Sequence, residues 1–430
     1  MTNSTPSPTT TPVTGGKIVD VPGLGTGVTA TEIKLGVILI DYKCIEGAVD
    51  SIPINQPQAY NAFIDDINAH GGINGRKIVP VFKTVCPVPF DVAISACTSF
   101  TEDDRVFAVI GDMYDPAGDA RLCITKQHHT VLISSGVSQE MIDKAPPGLL
   151  LSPDITPDRR LNVIMALVKS RHTLDGKKVG VLTESAATAR VKAVVDPALA
   201  SMGVGRGSEA VLTISNLDTA AAQTQLDSFI ERWKTEHVNA LILVGDGASS
   251  KRFIGKVRAA IPDMQMIADT TSVEQGGQDD VKAHVVPNPY DGIITAEGRI
   301  GLEHSRTPHY TYCKKIYEQQ TGIKIPLPNI VVKLPNGKRN DIYGSAENAC
   351  SFVTMFRTIA DRVGKNLNND NWVSTVNHFG PIEVMNTDYA SLHAGKYDAD
   401  DTYGLVAFDP TIPPFGDWRH VTPTENVSGS

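Results

Sequence analysis

The chain has 430 residues, of which 41% are hydrophobic and 20% charged, and this length favours two domains over a single core. Its formal net charge of −9 argues against nucleic acid or anionic lipid as a partner. No apolar run approaches the roughly 18 residues that a membrane-spanning helix needs. The N-terminal segment MTNSTPSPTTTPVTGG lacks the apolar core of a signal peptide, and its Ser/Thr/Pro-rich composition predicts a disordered tail over residues 1–27.

Strands and helices alternate through the first third of the chain. The run IKLGVILI (33–40) is almost continuously apolar, which is typical of a strand that is buried on both faces. The segment INAHGGINGRKI (67–78) then predicts the end of a helix at two glycines, a turn at Asn-Gly and the start of a second strand. Further strands are predicted at 78–85, 106–111 and 130–135, with helices near 56–70, 90–103 and 116–128. This order predicts a parallel sheet with right-handed crossovers.

A second alternating series follows a break at 141–158 that is rich in Pro and Gly. Its predicted strands are 178–183, 209–215, 239–245 and 265–269, and its predicted helices lie near 187–202, 217–236 and 248–260. A second break at 284–294 precedes a mostly helical region, with helices at 306–321, 343–364 and 369–379, and the chain closes with a strand. The fold class that we expect is α/β, with two doubly wound parallel-sheet domains.

Four segments, taken in order, resemble one known family. They are VTATEIKLGV (28–37), INAHGGINGRKI (67–78), VFAVIG (106–111) and the helix that contains YGSAENAC (343–350). Together they are similar to the bacterial extracytoplasmic solute-binding proteins of the branched-chain amino acid (Leu/Ile/Val) and amide-binding type, which are the receptors of ABC importers. The resemblance implies two lobes joined by three crossovers, with a ligand cleft between them. It implies an N-terminal lobe of 28–152 plus 293–380 and a C-terminal lobe of 153–292 plus 381–425, with the third crossover near 380–383.

The resemblance also implies a function. The chain would be an extracytoplasmic receptor that closes by a hinge on a small-molecule solute (an amino acid, an amide or another small polar compound) and delivers it to the membrane permease of an ABC importer, without a cofactor. The N-terminal tail would then be the spacer of a surface lipoprotein whose signal and lipidated Cys are not part of this sequence. A ligand-sensing regulator of the amide-sensor type, with the same fold and a cytosolic partner, is the alternative. An enzyme is disfavoured, because HExxH, GxSxG and GxxxxGK[ST] are all missing from the sequence.

In an open parallel sheet, ligands bind beyond the carboxyl ends of the strands. In the family, the loops after the third and fourth strands grip the polar head of the ligand, and in this chain these loops are GDMYDPAGD (111–119) and SSGVSQ (134–139). Ser135, Gly136 and Ser138 suit such a cradle, although Ser138 would equally cap the helix that follows. Tyr114 and Asp115 stand where the family commonly has a small hydroxyl residue, and this departure disfavours an amino acid as the ligand.

The second lobe contributes mostly acidic and hydroxyl side chains at its strand ends. Thr188 and Asp246 stand where the amino acid receptors have aromatic residues, and Thr270 stands where they have a glutamate. The acidic strand ends have two interpretations: they cap helices, or they recognise hydroxyl or amine donors on the ligand. The full set of candidate ligand-binding residues is Tyr42, Tyr114, Asp115, Ser135, Gly136, Ser138, Glu184, Ser185, Asp246, Asp269 and Thr270.

The six cysteines form no CxxC pair and match no zinc-site spacing, so no metal is expected. An even number in an exported chain indicates disulfides, although fifteen pairings are possible and six buried free thiols are the alternative. Our hypothesis pairs Cys44 with Cys86, just past the ends of strands one and two. Cys97 would pair with Cys123, across the helices that flank strand three. Cys313 and Cys350, on two helices of the returning segment, remain as the third pair.

Overall fold

The computed structural model describes residues 21–429, apart from 50, 54, 90–91, 213–218, 246, 271, 328–329, 331 and 385–386. Its first sheet has five parallel strands in the order β2-β1-β3-β4-β5. The strands are β1 (Glu32–Ile40), β2 (Lys77–Val85), β3 (Ala108–Gly111), β4 (Val131–Ile133) and β5 (Leu150–Leu151). The helices between them are α1 (Gln56–Ala69), α2 (Val92–Thr98), α3 (Asp119–Leu122) and α4 (Gln139–Lys144), and π-helical turns extend α2 and α3.

The turn between α1 and β2 follows the sequence prediction. Gly71 and Gly72 end the helix with φ angles of 100° and 70°, and Asn74 and Gly75 also have positive φ, at 50° and 83°. A Cβ atom on Gly72 would lie 1.9 Å from the carbonyl oxygen of Arg76, so no other residue fits there. The N–H of Ile73 and the N–H of Arg76 each donate to the other's carbonyl oxygen, which closes the turn and starts β2.

The second sheet has eight strands in all, and its parallel part repeats the order of the first sheet. The parallel strands are β6 (Lys178–Glu184), β7 (Gly205–Leu212), β8 (Ala240–Val244), β9 (Gln265–Ala268) and β10 (Ile294–Glu297). They lie in the order β7-β6-β8-β9-β10. The helices in this region are α5 (Pro157–Ser170), α6 (Thr188–Arg190), α7 (Asp196–Met202), α8 (Thr219–Thr235), α9 (Lys251–Ala260) and α10 (Ser272–Lys282).

The last third of the chain packs helices against the first sheet and adds strands to the second. It contains α11 (Pro308–Thr321), the ribbon of β11 (Val332–Lys333) and β12 (Arg339–Asn340), α12 (Ile342–Val363), α13 (Asn369–Asn377), and the ribbon of β13 (Gly380–Pro381) and β14 (Ser391–Leu392). The remaining strands are β15 (Thr402–Asp409), β16 (Asp417–His420) and β17 (Glu425–Asn426). β15 pairs antiparallel with β10, β16 and β17, so the second sheet is mixed and the expectation of a wholly parallel sheet is wrong there.

The hydrophobic core divides in the same way as the sheets. One cluster of buried side chains surrounds the five-stranded sheet and includes α1, α11 and α12. Two further clusters cover the two faces of the eight-stranded sheet. We call the first cluster with its sheet the first lobe and the other two with theirs the second lobe. The expected fold class of two α/β lobes is therefore confirmed.

Two of the expected lobe boundaries differ from the packing. Ile294 and Ala296 lie in β10 and pack in the second lobe, because β10 fills the edge between β9 and β15. Ile382, Leu392 and Ala399 pack in the first core cluster instead of the second. We therefore propose that the crossovers between the lobes are residues 152–156, 298–307 and 400–401.

Three disulfides join the six cysteines in the pairs that the sequence hypothesis proposed. Cys44 pairs with Cys86, Cys97 with Cys123, and Cys313 with Cys350. All three lie in the first lobe, and they close loops with sequence separations of 42, 26 and 37 residues. In the chain-entropy model each loop closure stabilises the fold by roughly 3–4 kcal/mol.

Candidate functional site

In each sheet the chain runs from its first parallel strand to the neighbour on one side, and then crosses to the neighbour on the other side. The point at which the winding direction reverses is a topological switch point, and ligands bind at such points beyond the carboxyl ends of the strands. In the first lobe the switch point lies between β1 and β3. Tyr42 follows β1, Asp112 follows β3, and both line one small pocket. Gln56 and Tyr60 of α1 and the start of α12 complete the pocket, so that side chains from four separate segments face each other. We call it the Asp112 pocket, and its polar lining consists of Tyr42, Gln56, Tyr60, Asp112, Asp341, Ser345 and Asn348.

The Asp112 pocket contains buried polar atoms that lack partners. Asn348 Nδ2 donates to Asp112 Oδ2 at 2.9 Å, whereas Asp112 Oδ1 is buried and has no hydrogen bond of normal geometry within the described part of the chain. Ser345 is 9% exposed, and its hydroxyl oxygen is also buried without a described partner. Burial, and then the charge of Asp154, raise the pKa of the Asp112 carboxyl to about 6, although Ser135 and Arg121 lower it. Leaving such groups without partners costs about 1–3 kcal/mol each.

A cluster of carboxylates extends from the pocket to the crossovers. Asp154 lies on the first crossover, Glu297 precedes the second and Asp400 lies on the third. Arg160 Nη1 is 3.1 Å from Glu297 Oε1, and Tyr403 donates its hydroxyl hydrogen to Asp400 Oδ2 at 2.7 Å. Burial raises the pKa values of all three carboxyls, and that of Asp400 rises to about 6. Asp154 is nevertheless exposed, and the Arg160 and Glu297 side chains are each about one-fifth exposed, as expected for the lining of a cleft.

Arg121 holds together the two loops that the sequence predicted as the ligand cradle. Its side chain is almost wholly buried and donates to the carbonyl oxygens of Met113, Asp115 and Ser135 at 2.9, 3.0 and 2.8 Å. Asp115 is buried with it, and its Oδ2 accepts from the N–H of Arg121 at 2.9 Å. The Asp115 carboxylate therefore faces the protein interior, while Gly136 lies exposed above Arg121 with a φ of +64°.

The other candidate residues of the first lobe differ in their surroundings. Ser135 is half-buried, and its hydroxyl interacts with both Asp112 and Asp154. The Ser138 hydroxyl accepts from the N–H of Met141 at 3.2 Å, so it caps α4, which was the alternative that the sequence offered. Tyr114 is 54% exposed. The structure thus brings Tyr42 and Ser135 to the acidic cleft, and the ligand contacts of the whole set stay predictions.

In the second lobe the switch point lies between β6 and β8. Glu184 ends β6 and lies against Gly245, where a Cβ atom would come within 2.5 Å of Glu184 Oε1. Asp269 follows β9, is buried, accepts from the N–H of Gly245 at 2.9 Å and pairs with Arg190 Nη1 at 2.8 Å. Asp269 thus has a structural role. Asp246, the other candidate in this region, lies outside the described residues.

Ser185 and Thr270, the remaining candidates, take part in turns. The Ser185 carbonyl accepts from the hydroxyl of Thr188 at 3.0 Å, and Thr270 Oγ1 lies 3.2 Å from Ser272 Oγ at the start of α10. Both follow strands that end at the edge where the ligand is expected. Their contact with a ligand stays a prediction.

A buried ionic network fixes the first and third crossovers to each other. Arg159 Nε donates to Asp398 Oδ2 at 2.8 Å, and its Nη1 donates to Asp401 Oδ1 at 3.0 Å. Lys396 Nζ lies 3.0 Å from the same Asp401 oxygen. The backbone of Ser152 pairs with that of Tyr397 and Ala399. Two cations and two carboxylates therefore balance where the chain passes between the lobes.

The sequence pattern placed Asp112 among the acidic strand ends without singling it out, and it did not indicate Asp154, Arg160, Glu297 or Asp400. These residues come from segments that are far apart in the chain, and they meet only because the crossovers converge. The Pro-rich breaks were the available signal, since residues beside a crossover must face the cleft. Asp341, Ser345 and Asn348 lie in or beside the segment YGSAENAC, whose resemblance to the family indicated a helix but not its contact with the cleft.

Comparisons with known proteins agree with this geometry. A family model described as periplasmic binding protein matches residues 32–297. No curated protein matches the chain. Within the described residues, every helix is too short or too polar to cross a membrane.

Solved structures share the fold at low sequence identity. A solute-binding protein of an ABC transporter from Rhodopseudomonas palustris BisB5, in complex with 3,4-dihydroxybenzoic acid, has a TM-score of 0.59 at 14% identity, covering 92% of this chain and 98% of that one. An ABC transporter substrate-binding protein from Desulfitobacterium hafniense, in complex with Leu, has a TM-score of 0.62 at 13% identity and 90% and 100% coverage. A fatty acid ABC transporter substrate-binding protein from Thermomonospora curvata has a TM-score of 0.59 at 15% identity and 94% and 95% coverage.

Proposed function

Because the chain belongs to the periplasmic binding protein family, we propose that it is the extracytoplasmic solute receptor of an ABC importer. It binds a small polar organic solute between its lobes and delivers that solute to a membrane permease. The observation that supports this most directly is the convergence of the first switch point and all three crossovers on one acidic cleft. A catalytic role has no comparable support, because the family model that matches the chain is that of periplasmic binding proteins.

The three disulfides favour an exported receptor over a cytosolic regulator with the same fold. Disulfides persist in oxidising compartments and are rare in the cytosol. All three pairs lie in the first lobe, and Cys44–Cys86 fixes the segment after β1 that leads into the Asp112 pocket. The Ser/Thr/Pro-rich N-terminal segment suits the spacer of a surface lipoprotein.

Binding couples to closure of the lobes about the three crossovers. The first lobe supplies a preformed cradle around Ser135 and Gly136, held from below by Arg121. The second lobe supplies the lid, with its own switch point at Glu184. The lobes already face each other near the β11–β12 ribbon. There burial raises the pKa of Glu274 of the second lobe to about 7, while Arg339 of the first lobe lies close enough to lower it.

The test starts with a solute that the protein carries through purification. Native mass spectrometry of the purified, unheated chain identifies it, and calorimetry then measures its affinity. Ser135→Ala removes the hydroxyl that interacts with two carboxylates, and it should weaken binding by about ten- to a hundredfold, which corresponds to about 1–3 kcal/mol. Ser228→Ala, an exposed position on α8, is the matched control and should bind as wild type does.

Two results would contradict the proposal. The first is wild-type affinity in Ser135→Ala, which would place the solute away from the acidic cleft. The second is turnover of the solute by the protein, which would make the chain an enzyme.

A further inference from the structure

The Asp112 pocket has a chemical character that limits which part of a solute can enter it. Its polar lining consists of two carboxylic acids (Asp112 and Asp341), two phenols (Tyr42 and Tyr60), the Ser345 hydroxyl and two amides (Asn348 and Gln56), and Gln56 Nε2 already donates to the carbonyl oxygen of Ile40 at 2.9 Å. Among the described residues that line it, none is basic. A carboxylate or phosphate entering this pocket would meet like charge and would find no cation to pair with.

The hydrogen-bonding state of the lining adds a second, independent observation. Asn348 Nδ2 donates one hydrogen bond to Asp112 Oδ2, and Asp341 Oδ1 accepts from the N–H of Gly344 at 2.9 Å. Asp112 Oδ1 and Ser345 Oγ are both buried without a hydrogen bond of normal geometry among the described residues, although the hydroxyl and N–H of Ser135 lie close enough to Asp112 to lower its pKa. The ionised Asp112 carboxylate can only accept a hydrogen bond, and the Ser345 hydroxyl can accept one, so an entering group that supplies hydrogen-bond donors satisfies both atoms.

The neighbours of Asp112 do not supply the missing positive charge. The charge of Arg121 lowers the pKa of Asp112, but the N–H groups of Arg121 donate to three backbone carbonyls beneath the cradle. Asp154 faces Asp112 from the first crossover and adds negative charge. A cation carrying several N–H donors is the group that satisfies both the charge and the open acceptor atoms, and an ammonium group has three such donors.

We propose that the Asp112 pocket binds a protonated amine, so that the solute of this receptor carries an ammonium group. This inference rests on the proposed receptor function and narrows its substrate class. The apolar wall formed by Ile38, Ile40 and Pro53 accommodates the carbon atoms next to the nitrogen. The remainder of the solute extends towards Ser135 and the second lobe.

The experiment compares three probes that differ only in their head group, namely butylamine, 1-butanol and butyrate. Each is titrated into the full chain by calorimetry at about pH 7.5, where an alkylamine is protonated and a carboxylic acid is ionised. Butylamine should bind at least about tenfold more tightly than 1-butanol, since a charge-assisted hydrogen bond contributes about 1.5–3 kcal/mol. Butyrate should give no heat of binding. Equal affinities for the amine and the alcohol, no binding of the amine, or tighter binding of butyrate would each overturn the inference.

Two variants locate the binding in the pocket. Asp112→Asn keeps the shape of the side chain and removes its charge, and it should weaken butylamine binding at least about tenfold. Ser345→Ala should weaken it by about three- to tenfold. Ser351→Ala, a buried serine further along α12 that does not line the pocket, is the matched control and should bind as wild type does. Unchanged affinity in both Asp112→Asn and Ser345→Ala overturns the inference. If one of the two variants folds poorly, unchanged affinity in the other is enough to overturn it.

The failure of this inference can be told apart from the failure of the proposed function. A solute without an amine, found by native mass spectrometry and weakened by Ser135→Ala, would overturn the ammonium assignment and leave the receptor function in place. If no carried-over solute is found and none of the three probes binds, neither proposal stands.

Discussion

At the scale of single residues, Asp112 carries a cost to stability that the proposed binding site would explain. The groups that face it are Asp154 from the first crossover, Arg121 from α3, Ser135 from the loop after β4, Tyr42 and Tyr60 beside the pocket, and Asn348 from α12. Burial raises the pKa of Asp112 from 3.8 to about 6, so its ionised form is disfavoured in the folded protein. A solute cation would relieve that penalty.

The sign of the pH dependence follows from this pKa. Between about pH 4 and pH 6 the unfolded chain releases the Asp112 proton while the folded chain retains it, so this group makes the protein less stable as pH rises through that range. Asp112→Asn removes the charge. It should therefore raise the free energy of unfolding of the ligand-free protein by an amount on the order of 1–3 kcal/mol at about pH 7.5 and leave it unchanged at about pH 3.5.

Urea unfolding at the two pH values measures the difference. Asp65→Asn, at an exposed position on α1, is the control and should change little at either pH. A loss of stability in Asp112→Asn at the higher pH would show that the carboxylate has a strong partner in the free protein, and the pocket would then not be waiting for a cation.

At the scale of elements, the continuous apolar runs predicted most strands well because those strands are buried on both faces. β1 was expected at 33–40 and spans Glu32–Ile40, and β2 was expected at 78–85 and spans Lys77–Val85. β10 was missed because it is short and directly follows the Pro-rich break. The mixed character of the second sheet was missed because the antiparallel β15 is as apolar and as buried as a central parallel strand.

The turn between α1 and β2 provides a prediction with an internal control. Gly71 and Gly72 both have positive φ, so an alanine at either position is strained. Only at Gly72 does the new Cβ atom meet the Arg76 carbonyl oxygen, at 1.9 Å, whereas nothing lies within 4 Å of a Cβ on Gly71. Gly71→Ala should lower the free energy of unfolding by about 1 kcal/mol, and Gly72→Ala should lower it by at least about 3 kcal/mol.

Denaturant unfolding of the two variants side by side measures both values. Equal losses in Gly71→Ala and Gly72→Ala would mean that the backbone conformation alone decides the cost and that the contact with Arg76 is relieved without strain.

At the scale of the whole molecule, the sequence indicated that a cleft exists but did not indicate what lines it. The rule for strand ends proposed Ser135 and Tyr42, and both lie near Asp112 in the structure. Their contact with a solute stays a prediction. Asp115, Asp269 and Ser138 follow strands and have side chains that could bind a ligand. In the structure, however, Asp115 accepts from the N–H of Arg121, Asp269 pairs with Arg190, and Ser138 caps α4. A strand-end carboxylate or hydroxyl can serve a helix, an ion pair or a ligand, and only the packing of neighbouring loops decides among these.

The crossovers explain how such a cleft can close as a unit. The network of Arg159, Lys396, Asp398 and Asp401 is buried, and it connects the first crossover to the segment leading into the third. Breaking a buried pair of this kind costs about 3–5 kcal/mol, so bending is expected on either side of the network and not within it. The two lobes would then move as rigid bodies, with the carboxylates at the crossovers approaching the solute together.

Small-angle X-ray scattering of the full chain, with and without its solute, tests the central claim that binding closes the two lobes. The solute is the one identified by native mass spectrometry, at a concentration that calorimetry shows to be saturating. Closure predicts a smaller radius of gyration with solute than without it in the wild-type protein, and no change in Ser135→Ala at a concentration too low to saturate that variant. An unchanged radius of gyration in the saturated wild-type protein would contradict closure.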